Sequence, residues 1–405
     1  MKVPASPSPE APPARPGRLP AGIWAIGFVS LLMDISSEMI HSLLPLYLST
    51  GLGASMLAIG LIEGAAEATA LVVKVFSGAW SDWLGRRKPL AVLGYGLGAA
   101  SKPLFALATT AGMVLAARLV DRVGKGLRGA PRDALVADLA QPHQRGAAFG
   151  LRQSLDTAGS FTGPLLAMGL MLLWANDFRA VFWVAVIPGV LSVALLVFGV
   201  REPRAAAAAK GVNPIRRENL RQLGRAYWWV VGLGALFTLA RFSEAFLVLR
   251  AQQGGLAIAW APLVLIAMNV VYSLGAYPLG RLADTMSHRT LLAIGLAVLV
   301  AADVALAVAD RGPLLWAGIA LWGLHMALTQ GLLATMVADA APAALRGTAF
   351  GVFSLAGGVA LLLASGLAGL LWDHLGGAST FVAGAAIAAA ALAVLAFKPT
   401  AANGS

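Results

Sequence analysis

The chain has 405 residues, 59% hydrophobic and 12% charged, with 46 glycines and no cysteine. A soluble domain carries about 25% charged residues, so disorder, a disulfide-stapled secreted fold and any cysteine-ligated metal or thiol chemistry are excluded. The net charge of +11 would raise nucleic acid as a partner in a soluble protein; beside a mean hydropathy of +0.78 it is first a question of membrane topology.

Residues 1–20 hold seven prolines and no apolar stretch, which excludes a signal peptide there and reads as a disordered tail. A membrane-spanning helix needs about 20 mostly apolar residues. Twelve such stretches follow, at 22–48, 55–76, 89–109, 112–135, 147–173, 179–200, 226–249, 258–279, 290–309, 313–337, 348–372 and 377–397. The connection 201–225 is polar and strongly basic and separates a six-helix unit at 21–200 from a second at 226–398, with a tail at 399–405. The predicted class is an all-α polytopic membrane protein.

Of the 30 Lys and Arg, 20 fall in the tails, the loops on the side of the termini and the span ends beside them. Three (Arg179, Arg250 and Arg311) fall on the other side, and seven lie within spans. That asymmetry predicts both termini in the cytoplasm and removes the need for a nucleic-acid partner. Trp24, Trp174, Trp228, Trp229, Trp260, Trp316 and Trp372 lie near span ends and read as interfacial anchors.

The sequence repeats itself. Residues 137–150 (ADLAQPHQRGAAFG) and 338–351 (ADAAPAALRGTAFG) share eight of fourteen positions at an offset of 201. GAWSDWLGRRK from Gly78 matches GRLADTMSHRT from Gly280 at an offset of 202. Two matches at nearly one offset, each in the same loop of its half, indicate parallel six-helix repeats, a plan used by secondary transporters.

The loop after the second span carries Gly78, Asp82, Gly85, Arg86 and Arg87. This resembles the Gly-x-x-x-Asp-x-x-Gly-Arg-Arg/Lys signature of the major facilitator superfamily, and the likeness covers about residues 20–400. The second copy keeps Gly280, Asp284 and Arg289 but has Ser287 and His288 where Gly and Arg are expected. The resemblance implies a two-times-six-helix fold, a gating role for these loops, and a cavity lined by helices 1, 4, 7 and 10 with 3, 6, 9 and 12 outside. The aspartate of such a loop can accept from N–H groups at a helix start, and the arginines can hold carboxylates across the bundle. Arg118 stands where the family has an arginine in helix 4, and Arg122 replaces the usual small residue four positions later. Gly150, Gly159, Gly163 and Pro164 resemble the helix-5 pattern of the family's antiporters, without its terminal Gly-Gly, where Ala167 and Met168 stand. Glycines so spaced permit close helix approach, and proline bends the helix.

Charges inside a bilayer are costly and mark functional sites by default. At 100° per residue, Asp34, Glu38 and His41 fall within about 60° of each other on helix 1. Glu63, Glu67 and Lys74 fall within about 40° on helix 2, and Arg118, Arg122 and Lys125 within about 60° on helix 4, with Asp121 at the edge. Asp156, one turn after Arg152, adds a charge on helix 5 and a candidate gating residue. Arg241 and Glu244 on helix 7 can pair at i, i+3, and Glu244 in its Phe-Ser-Glu context resembles Glu38 in Ser-Ser-Glu. Helix 10 adds His325 and Gln330. The preferred proton-coupling pair is Asp34 or Glu38 against Arg118 or Arg122: a buried carboxylate gains a proton more easily, and a neighbouring guanidinium reverses that, so a change of partner would switch proton affinity. Asp34, Glu38 and His41 are also weak candidates for a divalent metal, but no confident metal site is assigned.

No nucleotide-binding loop G-x-x-x-x-G-K-[ST] is present, so no ATPase drives the cycle. The expectation is a monomeric, cofactor-free, proton-driven transporter of the inner membrane, not an enzyme, which exports a small organic solute. The alternatives are import of an anionic or chelated compound and export of a divalent transition metal.

Overall fold

In a computed structural model the described residues are 19–84, 86–202, 220, 222–282, 286–309, 311–342 and 345–397. The basic linker therefore lies mostly outside them, as do the tails, Gly85 and Asp284.

Twelve long helical elements succeed one another. In the first half α1 is Ala21–His41, α2 Met56–Leu84, α3 Lys88–Leu107, α4 Ala111–Leu139, α5 Arg145–Leu173 and α6 Phe178–Gly199. In the second half α7 runs in two pieces, Arg225–Ala240 and Ala245–Gln253, followed by α8 Pro262–Leu282, α9 His288–Val308, α10 Pro313–Ala340, α11 Arg346–Leu375 and α12 Gly377–Phe397. Ten of them are long and apolar enough to cross a membrane by length and composition. The other two, α4 and α5, are 29 residues each; α4 carries the densest charge of all, and Arg132 and Arg152 lie within these helices where the sequence places span ends.

The duplication is exact at the level of helix ends. α4 stops at Leu139 and α5 starts at Arg145; α10 stops at Ala340 and α11 starts at Arg346, so both boundaries are displaced by 201 residues. Helix starts are capped locally. Thr110, Asp177 and Ser287 each accept from the backbone N–H three residues on, at 3.3, 3.1 and 3.1 Å, which satisfies one otherwise unpaired donor.

Two breaks depart from the predicted continuous spans. After His41 the chain turns through Ser42 and Leu43 into a short Leu44–Leu46 helix and a wide turn at Tyr47–Gly51; Pro45 has no N–H to continue the ladder. In α7 the helix stops between Ala240 and Ala245, where there is neither Pro nor Gly. There the Ser243 N–H leaves the helix to bond Ser365 Oγ on α11 at 3.1 Å, and the Ala245 N–H bonds Ser243 Oγ at 3.3 Å. Arg241 and Glu244 thus sit in a break, not on one helical face, and no ion pair joins them.

The hydrophobic clusters show how the halves meet. One cluster joins the halves at the end remote from the termini and runs on through the second half to Leu291 and Leu395; from the first half it takes Met39, Ile40, Leu43, Leu44, Leu46, Tyr47, Leu48, Phe105, Ala167, Met171 and Phe182. From the second it takes Phe237, Phe246–Leu249, Val264 and Trp322. At the terminus end each half has its own cluster, one around Ile26, Tyr95 and Leu196, the other around Tyr227, Val337 and Ala349. α2 and α11 touch along their length: a Cβ on Gly358 would lie 3.3 Å from Ala68 Cα, and one on Gly351 3.0 Å from a Val75 methyl.

Trp24, Trp174, Trp228 and Trp260 are exposed as interfacial anchors would be. Trp372 is not one of them: it is 9% exposed and packs on Phe246 and Phe381 in the shared cluster.

Candidate functional site

A cavity of about 280 Å³ lies between the halves. Its wall gathers Glu38 and His41 from α1, Glu63 and Glu67 from α2, and Arg118, Arg122 and Lys125 from α4. The second half contributes Arg241 and Glu244 from the break in α7, with Phe242, Val248, Leu265 and Leu361 as apolar surface. The stripes read from helical spacing on helices 1, 2 and 4 therefore face one space, and Glu38 and Glu244 reach it from equivalent helices of the two repeats.

The pairing inside differs from the preferred one. Arg118 Nη2 donates to Glu63 Oε2 at 2.5 Å, with both side chains almost fully buried. Arg122 pairs with Glu67 Oε1 at 3.2 Å and lays its other terminal nitrogen on the His41 ring at 3.1–3.2 Å. The arginines of α4 thus take the carboxylates of α2, which face them directly, rather than those of α1. Glu38 has only a long contact to His41, 3.8 Å. Asp34 does not line the cavity; it lies one turn closer to the terminus end, against α5, where a Cβ on Gly159 would come within 2.9 Å of Asp34 Cβ. With Arg122 on its ring nitrogens, His41 is not presented with Asp34 and Glu38 to a cation, and the described residues contain no cluster of three or more His, Asp or Glu that could hold a metal.

Behind the cavity Lys102 of α3 is closed to solvent. Its Nζ donates to Asp121 Oδ1 at 2.7 Å and to Ser37 Oγ at 3.0 Å. Asp121 also accepts from Ser101 Oγ at 3.4 Å and stands 3.5 Å from His41 Nε2. This chain of contacts ties α1, α3 and α4 together and links to the cavity through His41.

Nearer the terminus end, Asp156 of α5 meets Arg152 at 2.5 Å and Arg132 of α4 at 3.7 Å, and Arg152 reaches Asp133 at 3.7 Å. Arg132 and Asp133 are missing from the sequence-derived site because they lie near the predicted span end.

Helix 10 does not contribute as expected. His325 is buried with Nδ1 on the Gly295 carbonyl at 2.8 Å and its ring stacked on Phe237, centroids 5.1 Å apart, so it joins α9 and α10. Gln330 lines a separate cavity of about 290 Å³ within the second half, with Tyr272, His288 and Thr335. α2 takes the place in the cavity wall that the resemblance assigns to helix 10.

In the signature loop one arginine holds a carboxylate across the bundle. Arg87 Nε holds Asp138 Oδ2 of α4 at 3.0 Å, Gly78 faces Ala130 of α4 at 3.6 Å from a built Cβ, and Arg86 is exposed. Asp82 lies in the last turn of α2, Gly280 in the last turn of α8 and Arg289 in the first turn of α9. A residue the sequence reading passed over, Glu202, accepts from the N–H groups of Arg87 and Lys88 at the start of α3, and Lys88 Nζ caps the last turn of α6 on the Val197 and Val200 carbonyls at 2.7 and 2.6 Å.

In the helix-5 pattern, Gly159 and Gly163 are the contact points with α1. A Cβ on Gly163 would sit 2.8 Å from both Glu38 Cβ and the Ile35 carbonyl oxygen, whereas Gly150 has open space beside it. Pro164 lies inside the helix at that contact. At the far end Asp373 of α11 accepts from the N–H groups of Met56 and Leu57, both at 2.9 Å, so a carboxylate of one half caps the first turn of α2 in the other.

Comparison with known proteins agrees with this architecture. The family model described as Major Facilitator Superfamily matches residues 26–268 and 251–405. An uncharacterized MFS-type transporter of Methanocaldococcus jannaschii is 32% identical over 364 residues, covering 87% of this chain and 89% of that protein. The multidrug resistance protein MdtH of Photorhabdus laumondii is 31% identical over 162 residues, 40% of this chain and 39% of that one. Among solved structures, the nucleoside transporter NupG superposes with a TM-score of 0.82 at 13% identity, covering 93% of this chain and all (100%) of that one. An inward-facing bacterial homologue of the human lysosomal transporter Spinster superposes with a TM-score of 0.70 at 17% identity, covering 94% and 96%. The chain belongs to the Major Facilitator Superfamily and is a multi-pass membrane transporter.

Proposed function

We propose that this transporter is a proton-coupled antiporter of the inner membrane, acting as a monomer with both termini in the cytoplasm and exporting a small organic solute by alternating access. The carrying observation is the buried pair Arg118–Glu63 beside Arg122–Glu67 in a cavity shared by the two halves. A buried carboxylate stays ionised only while its cation is at hand; separating the pair leaves a bare charge in a low dielectric, which a proton relieves. Movement of α2 against α4 would thereby exchange the guanidinium for a proton and back once per cycle. The cycle needs no cofactor, and the protein's own residues form no bond to the solute. Export is supported by the glycine pattern of α5 and by the partial likeness to a multidrug resistance protein.

The test is export of small metabolites from proteoliposomes under an imposed pH gradient, followed by mass spectrometry of the medium. Gradient-dependent release of at least one compound is expected. Release that continues unchanged after a protonophore collapses the gradient removes the coupling. The Glu63→Gln variant should lose gradient-driven export while retaining exchange of solute for solute.

A further inference from the structure

We infer that the cargo of the central cavity is a small zwitterion, a molecule with one carboxylate and one ammonium group on a compact apolar body. The inference rests on the transporter reading above and specifies what that site holds.

Four charged side chains face the cavity without a close partner of opposite charge. Among the described residues, Lys125, Arg241 and Glu244 take part in no ion pair, and Glu38 has only its 3.8 Å contact to His41. Each half supplies one of each sign: Glu38 and Lys125 from the first, Arg241 and Glu244 from the second. Arg241 and Glu244, three residues apart, would collapse onto each other if nothing held them apart. The break in α7, fixed by the Ser243 N–H on Ser365 Oγ, keeps Arg241 and Glu244 off a common helical face.

A neutral solute would leave all four charges desolvated and unmatched when the cavity closes, and a singly charged one would leave an imbalance. A zwitterion matches both signs. Among the described residues, the lining cations without an ion-pair partner are Lys125 and Arg241, and the lining carboxylates without a close one are Glu38 and Glu244. The acid end of the solute therefore faces Lys125 and Arg241, and the ammonium end faces Glu38 and Glu244. The volume of about 280 Å³ equals roughly nine waters at ~30 Å³ each, the scale of an amino acid or a small dipeptide. Phe242, Val248 and Leu265 offer its side chain an apolar wall.

The test uses the purified full-length protein in detergent and follows its melting temperature with leucine, phenylalanine and alanyl-alanine. Phenylalanine amide, which keeps only the cation, and N-acetyl-phenylalanine, which keeps only the anion, serve as matched controls. At least one zwitterion should stabilise the protein at a concentration tenfold or more below that needed with either control. Glu244→Gln should remove the advantage of the zwitterion over N-acetyl-phenylalanine without lowering the melting temperature of the unliganded protein. A control that matches its parent, or no response to any of the three zwitterions, overturns the inference. Gradient-driven export of a singly charged compound from proteoliposomes would overturn it too while leaving the antiport reading intact.

Discussion

Lys102 and Asp121 form a 2.7 Å ion pair with both side chains closed to solvent, and the pair lies outside the cavity that the other charges line. Removing one member of a buried pair costs about 3–5 kcal/mol, whereas replacing both can be neutral. Lys102→Met should therefore lower the melting temperature of the purified protein sharply, and Lys102→Met with Asp121→Leu should restore most of the loss. Equal loss of melting temperature from the single and double changes would show that an unpaired buried charge is not the source of the cost.

Arg118 and Glu63 present the opposite case, because they face the cavity. Arg118→Gln should reduce transport in proteoliposomes by at least a hundredfold while the protein still inserts and elutes as a single species. Swapping the two, Arg118→Glu with Glu63→Arg, should not rescue transport, since the order of charges towards Lys125 and Glu67 is reversed. Recovery to more than a tenth of the original rate would show that only the presence of a pair matters.

Asp373 joins the halves at the end remote from the termini by capping α2. Loss of a capping carboxylate costs about 1 kcal/mol, which is about a fivefold change in an equilibrium. The chain has no cysteine, so a single Val248→Cys reporter, at a cavity-lining position closed to solvent here, gives a clean reading. Asp373→Ala should raise its labelling rate by an impermeant maleimide several-fold, and an unchanged rate would mean that this contact does not hold the end shut.

The glycines of α5 divide into two kinds. Gly163→Leu has no room against Glu38 and Ile35 and should abolish stable expression, measured by size-exclusion profile. Gly150→Ala meets nothing within 4 Å and should be indistinguishable from the parent, or slightly more stable because alanine favours the helix by about 1 kcal/mol. Similar outcomes for both would remove the distinction drawn between contact and spacer positions.

Much of this architecture is legible in the amino-acid order, for definite reasons. Apolar length marks the spans, and the 201-residue echo marks the repeat, because each is carried by many residues at once. The stripes on α1, α2 and α4 follow from a 100° step per residue. Partner choice is another matter. That Arg118 meets Glu63 and not Glu38 depends on which helix face lies opposite α4, which one helix's periodicity does not contain. The break in α7 has no Pro or Gly to announce it; its cause is Ser365, 122 residues away. His325 has the composition of a cavity ligand, yet its Nδ1 is held by the Gly295 carbonyl of α9. Glu202 and Asp373 could have been noticed as lone carboxylates next to helix ends, the one signal that pointed to their capping roles.

The contact between α2 and α11 runs from Met56 and Gly369 at one end to Val75 and Gly351 at the other, while α5 enters the shared cluster only through its last turns, at Ala167 and Met171. The two halves are therefore bound like a book, with α2 and α11 as the spine and α5 and α8 as the fore-edge. The motion of least resistance pivots on the apolar cluster that the halves share at the end remote from the termini, so they part at the terminus end, where the fore-edge travels farthest. Bulky substitutions along the spine should jam every step of the swing, whereas those on the terminus-side stretch of α5 should alter how wide it opens and hence the largest solute that passes.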